Sequence, residues 1–181
     1  MKAENKEEAY TALKRRKQKH NLIFIMRGKK ATKRNIEPDP KFNSINISKL
    51  INYVIKNGKK SVAQGIVYES FDIISEKTKQ DPESIFEQAI KNVSPQLEVR
   101  SRRVGGANYQ IPVEVRGDRK YNLACRWILT AARTRRGKKM AFKLAEEIIS
   151  ASKGEGAAIK KKEDTLRMAE ANKAFAHFAW A

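Results

Sequence analysis

The sequence predicts a mainly α fold, a bundle of about six helices with one inserted, protruding β-hairpin. Three observations carry that expectation. Apolar residues recur at helical spacing through most of the chain after residue 44. One stretch alone, residues 97–116, alternates with a period of two. A single cysteine, Cys125, leaves no internal disulfide, and with no second strand pair the helices have to supply the core from a composition that is 40% hydrophobic.

The alternating stretch is LEVRSRRVGGANYQIPVEVR. Tyr109, Ile111, Val113 and Val115 fall on one side, and Gln110, Pro112, Glu114 and Arg116 on the other. Leu97 and Val99 begin the same alternation against Glu98 and Arg100. Between the halves lies Gly105-Gly106-Ala107-Asn108, turn chemistry that tolerates positive φ. The expected hairpin carries Arg100, Arg102, Arg103 and Arg116. A lone two-stranded ribbon is marginal in water. It needs either the helices or an outside partner to hold it, and four arginines favour a partner with phosphates.

The helices follow from their stripes. Ile47, Leu50, Ile51, Val54 and Ile55 form the first, stopped by Asn57-Gly58. Lys59 and Lys60 are expected in a short turn. A second helix, about 61–78, turns Val62, Ile66, Val67, Phe71 and Ile74 inward. Asp81-Pro82 opens a third, because Asp is a good N-cap and Pro is tolerated at the first helical position. Its stripe is Ile85, Phe86, Ala89, Ile90 and Val93, and Pro95 closes it. After the hairpin, Asp118 is the expected cap of a fourth helix with Leu123, Ala124, Trp127, Ile128 and Ala131 inward. A basic loop, TRRGKK at 134–139, leads to a fifth with Met140, Leu144, Ile148 and Ala151. Lys153-Gly154-Glu155-Gly156 is a joint, and a last helix begins near Ala158 with Met168, Ala171, Phe175 and Phe178 in line.

Charge is large and uneven. The formal net charge is +19 and the pI about 10.1, a balance that favours nucleic acid or another polyanion and says nothing about fold. Residues 9–36 hold ten Lys or Arg and no acid. Residues 61–98 hold three basic against seven acidic residues, and 99–139 hold twelve against two. The acidic part is therefore not the nucleic-acid face. Residues 1–36 read as a basic arm without fixed structure of its own, with a frayed helix possible over 4–19; Glu37-Pro38-Asp39-Pro40 ends it. Residues 37–181 form the helical binding domain. Residues 22–26, LIFIM, are too short for a signal-peptide core, and no apolar run approaches a membrane span.

Catalytic chemistry is absent from the pattern. His20 and His177 are far apart, and with one cysteine they give no metal-ligand spacing. There is no phosphate-binding loop and no dinucleotide fingerprint. Cys125 sits within a helical stripe and reads as a buried or groove-lining residue. No pair among Glu69, Asp72, Glu76 and Glu87 looks like an acid/base couple. Binding chemistry is plentiful. Arg119, Arg126 and Arg133 are seven apart and share a helix face. Arg135, Arg136, Lys138 and Lys139 follow in the loop, and Arg34, Lys41, Lys59 and Lys60 add charge upstream. Tyr109, Gln110, Tyr121 and Asn122 can stack on or hydrogen-bond exposed bases. With no sequence-reading module, recognition of a folded RNA by shape and backbone is favoured. Two other classes compete: a basic subunit of a nucleic-acid-modifying enzyme, and a membrane-surface or polyanion binder governed by charge alone.

Five motifs are familiar: PDPKF (38–42), NGKKSVAQGIVY (57–68), VRSRRVGGANYQIPVEVR (99–116), LACRWI (123–128) and KKEDTLRMAEANKAFAHFAW (161–180). Through them the chain resembles the bacterial-type small-subunit ribosomal proteins of the S-seven family. The resemblance implies a helical protein with a protruding ribbon in the head of the small subunit, a primary binder of the 3′ major domain of the small-subunit rRNA that nucleates head assembly. It implies exit-site tRNA and mRNA near the ribbon, with Arg102, Arg103, Gly105 and Gly106 at its tip. It also implies neighbouring head and platform proteins, a bacterial cytoplasmic or organellar ribosome, no membrane, no homo-oligomer, no cofactor and no metal. Residues 1–36 are longer than the family's short basic arm.

Overall fold

The computed structural model describes residues 34–179. The expected arm, its frayed helix, residues 22–26 and Trp180 lie outside the described residues, apart from the arm's last few. Contacts divide the chain after Asn35, and the fold below is that of the unit beginning at Ile36. In order it runs α1 (Ile45–Val54), α2 (Lys60–Thr78), α3 (Pro82–Val93), β1 (Leu97–Val104), β2 (Ala107–Glu114), α4 (Gly117–Thr134), α5 (Met140–Ser152) and α6 (Ala157–Ala171). A 3₁₀ turn, Lys173–Ala179, closes it. The mainly helical class with one inserted hairpin is as expected.

The core is made by the predicted stripes and a few residues they missed. Ile47, Leu50, Val67, Phe71, Ile74, Phe86, Val93, Ile128, Leu144 and Ile148 are fully buried. Phe71 meets Phe42 at 5.2 Å and Phe86 at 5.8 Å between ring centroids, which ties the entry segment, α2 and α3 together. Helix α5 is the hub: it packs on α2, α3, α4 and α6. Its inward face is mostly small, with Ala141, Ala145 and Ala151 beside Leu144 and Ile148, so four neighbours can approach it closely.

Several inward assignments are corrected. Val62 is 56% exposed, because Ala63 and Val67 face the core at the start of α2 and Val62 points away. Ile66, Ile90 and Trp127 do pack against the core, though only partly buried, and Leu123 is partly buried. Helix α4 buries the expected Ala124, Ile128 and Ala131 and adds Cys125, Leu129 and Ala132. Lys60 is the first residue of α2 and Lys59 its N-cap, so neither is in a free turn. The N-cap of α4 is Arg116; Asp118 lies inside the first turn, where its charge faces the positive end of the helix dipole. Asp81 does cap α3, its carboxylate accepting the Ser84 N–H at 3.0 Å. Met168 is 46% exposed and Ala171 is exposed too; α6 buries Ala158, Ile159, Thr165 and Ala169. The last helix does not run on to Phe178. It breaks at Asn172 into the 3₁₀ turn, which re-aims Phe175 and Phe178.

Two buried carboxylates fasten the loops. Asp39, from the PDPKF segment, accepts the N–H of Lys41 at 3.1 Å and of Phe42 at 3.3 Å. The Tyr68 hydroxyl of α2 donates to it at 2.8 Å. Glu147 of α5 is completely buried. Its Oε2 accepts Arg135 Nε at 2.9 Å and Nη2 at 2.7 Å, while Oε1 accepts the Ala158 backbone N–H at 3.0 Å. One side chain thus holds the α4–α5 loop and the first turn of α6, whose unpaired N–H groups need an acceptor. Gly156 stands at φ +103°, and a Cβ there would lie 3.0 Å from Glu147 Oε1 and 3.2 Å from Ser150 Cβ. Without Glu147 the buried Ala158 N–H loses its acceptor and Arg135 keeps Glu146 alone. Glu147→Ala is expected to lower stability by about 3 kcal/mol, and Gly156→Ala by about 1–3 kcal/mol. Urea unfolding followed by circular dichroism checks both; an unchanged midpoint for Glu147→Ala would contradict this role.

Candidate nucleic-acid interface

The ribbon pairs Leu97 with Glu114 at its base and Val104 with Ala107 at its tip. The turn is Gly105-Gly106 alone, with φ of +57° and +93°. Both residues sit where side chains are disfavoured, the requirement of a two-residue turn that follows the strand twist. Ala107 and Asn108, expected in the turn, belong to β2. Arg116 is beyond the strand, at the start of α4.

Register decides the two faces. Glu98 opposes Val113, Arg100 opposes Ile111, and Arg102 opposes Tyr109. Glu98, Arg100 and Arg102 therefore share a face with the apolar residues of β2. Val99, Ser101 and Arg103 share the other face with Pro112, Gln110 and Asn108. At the ribbon base, Ile111 and Glu98 are buried. Glu98 is neutralised by Arg100 from the same strand and by Arg119 from α4, whose Nε reaches Oε2 at 2.7 Å. Arg119 is thus committed to an internal ion pair. Farther out, Tyr109 packs against Phe175 at 5.2 Å and Phe178 at 5.4 Å, and Arg102 Nη1 donates to the Phe178 carbonyl at 2.8 Å. Tyr109, expected as a stacking platform for bases, is a packing residue on that side.

The remaining predicted residues divide by what they touch. Lys41 pairs with Asp72 at 3.1 Å and lies over the rings of Phe42 and Tyr68. Arg135 is held by Glu147 and Glu146, and Lys138 pairs with Glu146. Lys138, with Lys77 and Arg135, holds the Glu146 carboxyl below the usual range. Lys59, Lys60, Arg103, Gln110, Arg116, Arg126, Arg133, Arg136 and Lys139 are exposed, and so is Arg34. None of the basic ones among them forms an ion pair with a described acid. Arg119, Arg126 and Arg133 stand two turns apart along α4 and are exposed, and Arg136 and Lys139 are exposed in the loop that follows it. Lys59 and Lys60 stand at the start of α2, a helix that packs on α1, α3 and α5.

Sequence reasoning missed Lys49. Its ammonium lies 5.4 Å over the Tyr121 ring, and with Ile36, Asn52, Tyr53 and Asn122 it lines a shallow depression of about 200 Å³. The signal was the outward face of the first helix, Lys49, Asn52 and Tyr53. The Tyr121 hydroxyl is taken up internally: it donates to the Asn46 carbonyl at 2.5 Å, and burial raises its pKa. Among the described residues no three or more His, Cys, Asp or Glu are grouped to hold a metal, and no helix is long and apolar enough to cross a membrane.

The family model "Ribosomal protein S7p/S5e" matches residues 26–173. The chain belongs to that family. Relatives called "Small ribosomal subunit protein uS7" bear this out: that of Thermotoga maritima is 60% identical over 155 residues, 86% of this chain and all of the relative. That of Caldanaerobacter subterraneus is 60% identical over 82% of this chain and 95% of the relative, and that of Xanthobacter autotrophicus 53% over 86% and 100%. The family is one of structural ribosomal proteins, and this member is not an enzyme. The family match begins inside the expected arm and stops at Lys173, short of Phe175 and Phe178.

Burial also silences the one thiol. Cys125 is fully buried, and burial pushes it up to about 12, against smaller lowering effects from Tyr121 and Lys49. A raised folded pKa keeps the thiol neutral while the unfolded chain ionises from about pH 8.5. Its contribution to stability is complete below that pH and is lost as pH rises toward 12. The native protein should resist a thiol reagent at pH 8 and react at once in denaturant, and Cys125→Ala should flatten the alkaline loss of stability. Rapid native labelling would contradict the burial.

Proposed function

We propose that this protein is a structural constituent of the bacterial-type small ribosomal subunit that binds the 3′ major domain of the small-subunit rRNA and nucleates folding of the head. The observation that carries this is the coincidence of two things: family membership over 26–173, and a run of exposed arginines and lysines on the ribbon, the outer side of α4 and the α4–α5 loop. Arginine forks onto phosphate oxygens, and an A-form helix is recognised by its backbone and shape. Arg103, Arg116, Arg126, Arg133, Arg136 and Lys139 supply those contacts, with Gln110 and Lys59, Lys60 and Arg34 as further donors. Arg100, Arg119, Arg135, Lys138 and Lys41 keep spare donors after pairing internally and act as much by positioning as by gripping.

The ribbon tip at Gly105-Gly106 faces the exit-site tRNA and the mRNA path, and head and platform proteins are its neighbours. Residues 1–36 act as a basic arm that adds RNA contacts, and the domain from residue 37 carries the specific binding. The site of action is the ribosome, where relatives named for the small subunit also belong.

The test is binding of the full chain to folded and to unfolded fragments of the 3′ major domain across salt. Folded RNA should bind at least tenfold tighter. Arg133→Ala with Arg136→Ala should weaken it about tenfold and lower the salt slope by about 0.7–0.9 for each phosphate lost, with unchanged circular dichroism. Equal affinity for both RNAs would instead support a binder governed by charge alone.

A further inference from the structure

The two adjacent ribbon arginines stand in different surroundings. Arg102 shares its face with Tyr109 and donates to the Phe178 carbonyl at 2.8 Å. Arg103 is on the opposite face with Asn108, exposed and without an ion pair to a described acid. The Tyr109 ring lies against both Phe175 and Phe178, which face each other nearly parallel at 6.5 Å, and His177 continues the row with its ring centroid 3.9 Å from that of Phe178. These contacts join the outer half of a two-stranded ribbon to the 3₁₀ turn at the far end of the chain. The ribbon belongs to no larger sheet among the described residues. Its base is fastened by Ile111 and Glu98, but residues 100–108 are exposed apart from a partly buried Val104. Without added support an exposed hairpin of this kind opens readily.

We propose that Arg102, Tyr109, Phe175 and Phe178 form a clasp by which the carboxyl-terminal 3₁₀ turn sets the attitude of the ribbon, and that Arg103 alone of the two tip arginines makes the phosphate contact. The clasp is independent of the ligand. The assignment of Arg103 rests on the RNA-binding function proposed above. Arg102 and the aromatic residues are positioning residues: they fix where Arg103 and Gln110 stand and act on RNA through them. The break of α6 at Asn172 is part of the device, because a continuous helix would carry Phe175 and Phe178 along a straight axis instead of onto the ribbon.

Two readouts on the full chain separate these roles: amide hydrogen exchange of the ribbon, and salt-dependent binding to the folded 3′ major-domain fragment. Phe175→Ala with Phe178→Ala, and separately Arg102→Met, should speed ribbon exchange tenfold or more while the amides of α5 stay protected. Tyr109→Phe keeps the ring and should behave as wild type. Arg103→Met should leave exchange unchanged and lower the salt slope by about 0.7–0.9, one phosphate's worth. The proposal is overturned if the double Phe variant leaves ribbon exchange at the wild-type rate, or if Arg102→Met and Arg103→Met are alike in both readouts. Failure of the wild-type chain to prefer folded RNA would remove the proposed function and Arg103's role, while the exchange result would still decide the clasp.

Discussion

A single buried carboxylate holds three parts of this fold in place. Glu147 lies in the middle of α5, the helix on which four others pack. One of its oxygens receives the Arg135 guanidinium from the loop before α5, and the other receives a backbone N–H from the start of α6. A charge removed from water this completely is tolerable only when its lone pairs are used. Both are, and among the described residues no buried side-chain nitrogen or oxygen lacks a partner. Gly156 follows from the same constraint, since a side chain at that point would collide with the carboxylate.

The same device recurs with different partners. Asp39 gathers the chain entering the bundle and ties it to Tyr68. Glu98 gathers Arg100 and Arg119 where the ribbon meets α4. In each case an acid sits inward and organises donors around it. For a chain with net charge +19 this matters electrostatically. Like charges along β1 and the first turn of α4 would repel, and an interior acid lets them stand close together. The arginines so held have less freedom left to lose when they meet a phosphate.

The ribbon depends on both of its ends. Glu98 and Ile111 fasten the base, and the aromatic contact with Phe175 and Phe178 reaches the outer half. The need for support was already implied by an isolated hairpin in an otherwise helical sequence. The support comes from within the chain as well as from any ligand. A polyanion partner is therefore not required to explain why the ribbon holds its shape; family membership and the exposed arginines of α4 and its loop are what point to nucleic acid.

Sequence alone determined the class of fold, the helix stripes and the glycine turn, because each depends on spacing along the chain. Period 3.6 or 2 and the positive φ of Gly105 and Gly106 are local properties. It also located the basic segments, since charge is a matter of composition. What only the tertiary structure decided is which of those side chains are spoken for. Glu147 does fall in line with Leu144 and Ala151, but an acid in such a stripe does not announce its partner; Arg135, Tyr68 and Arg119, which complete Glu147, Asp39 and Glu98, are brought up by packing. Ribbon register put Arg102 beside Tyr109 and Arg103 away from it, a difference of one residue that reverses the face. The exposure of Val62 and Met168 has the same origin: a stripe wide enough to read as buried is covered only where another helix happens to lie against it.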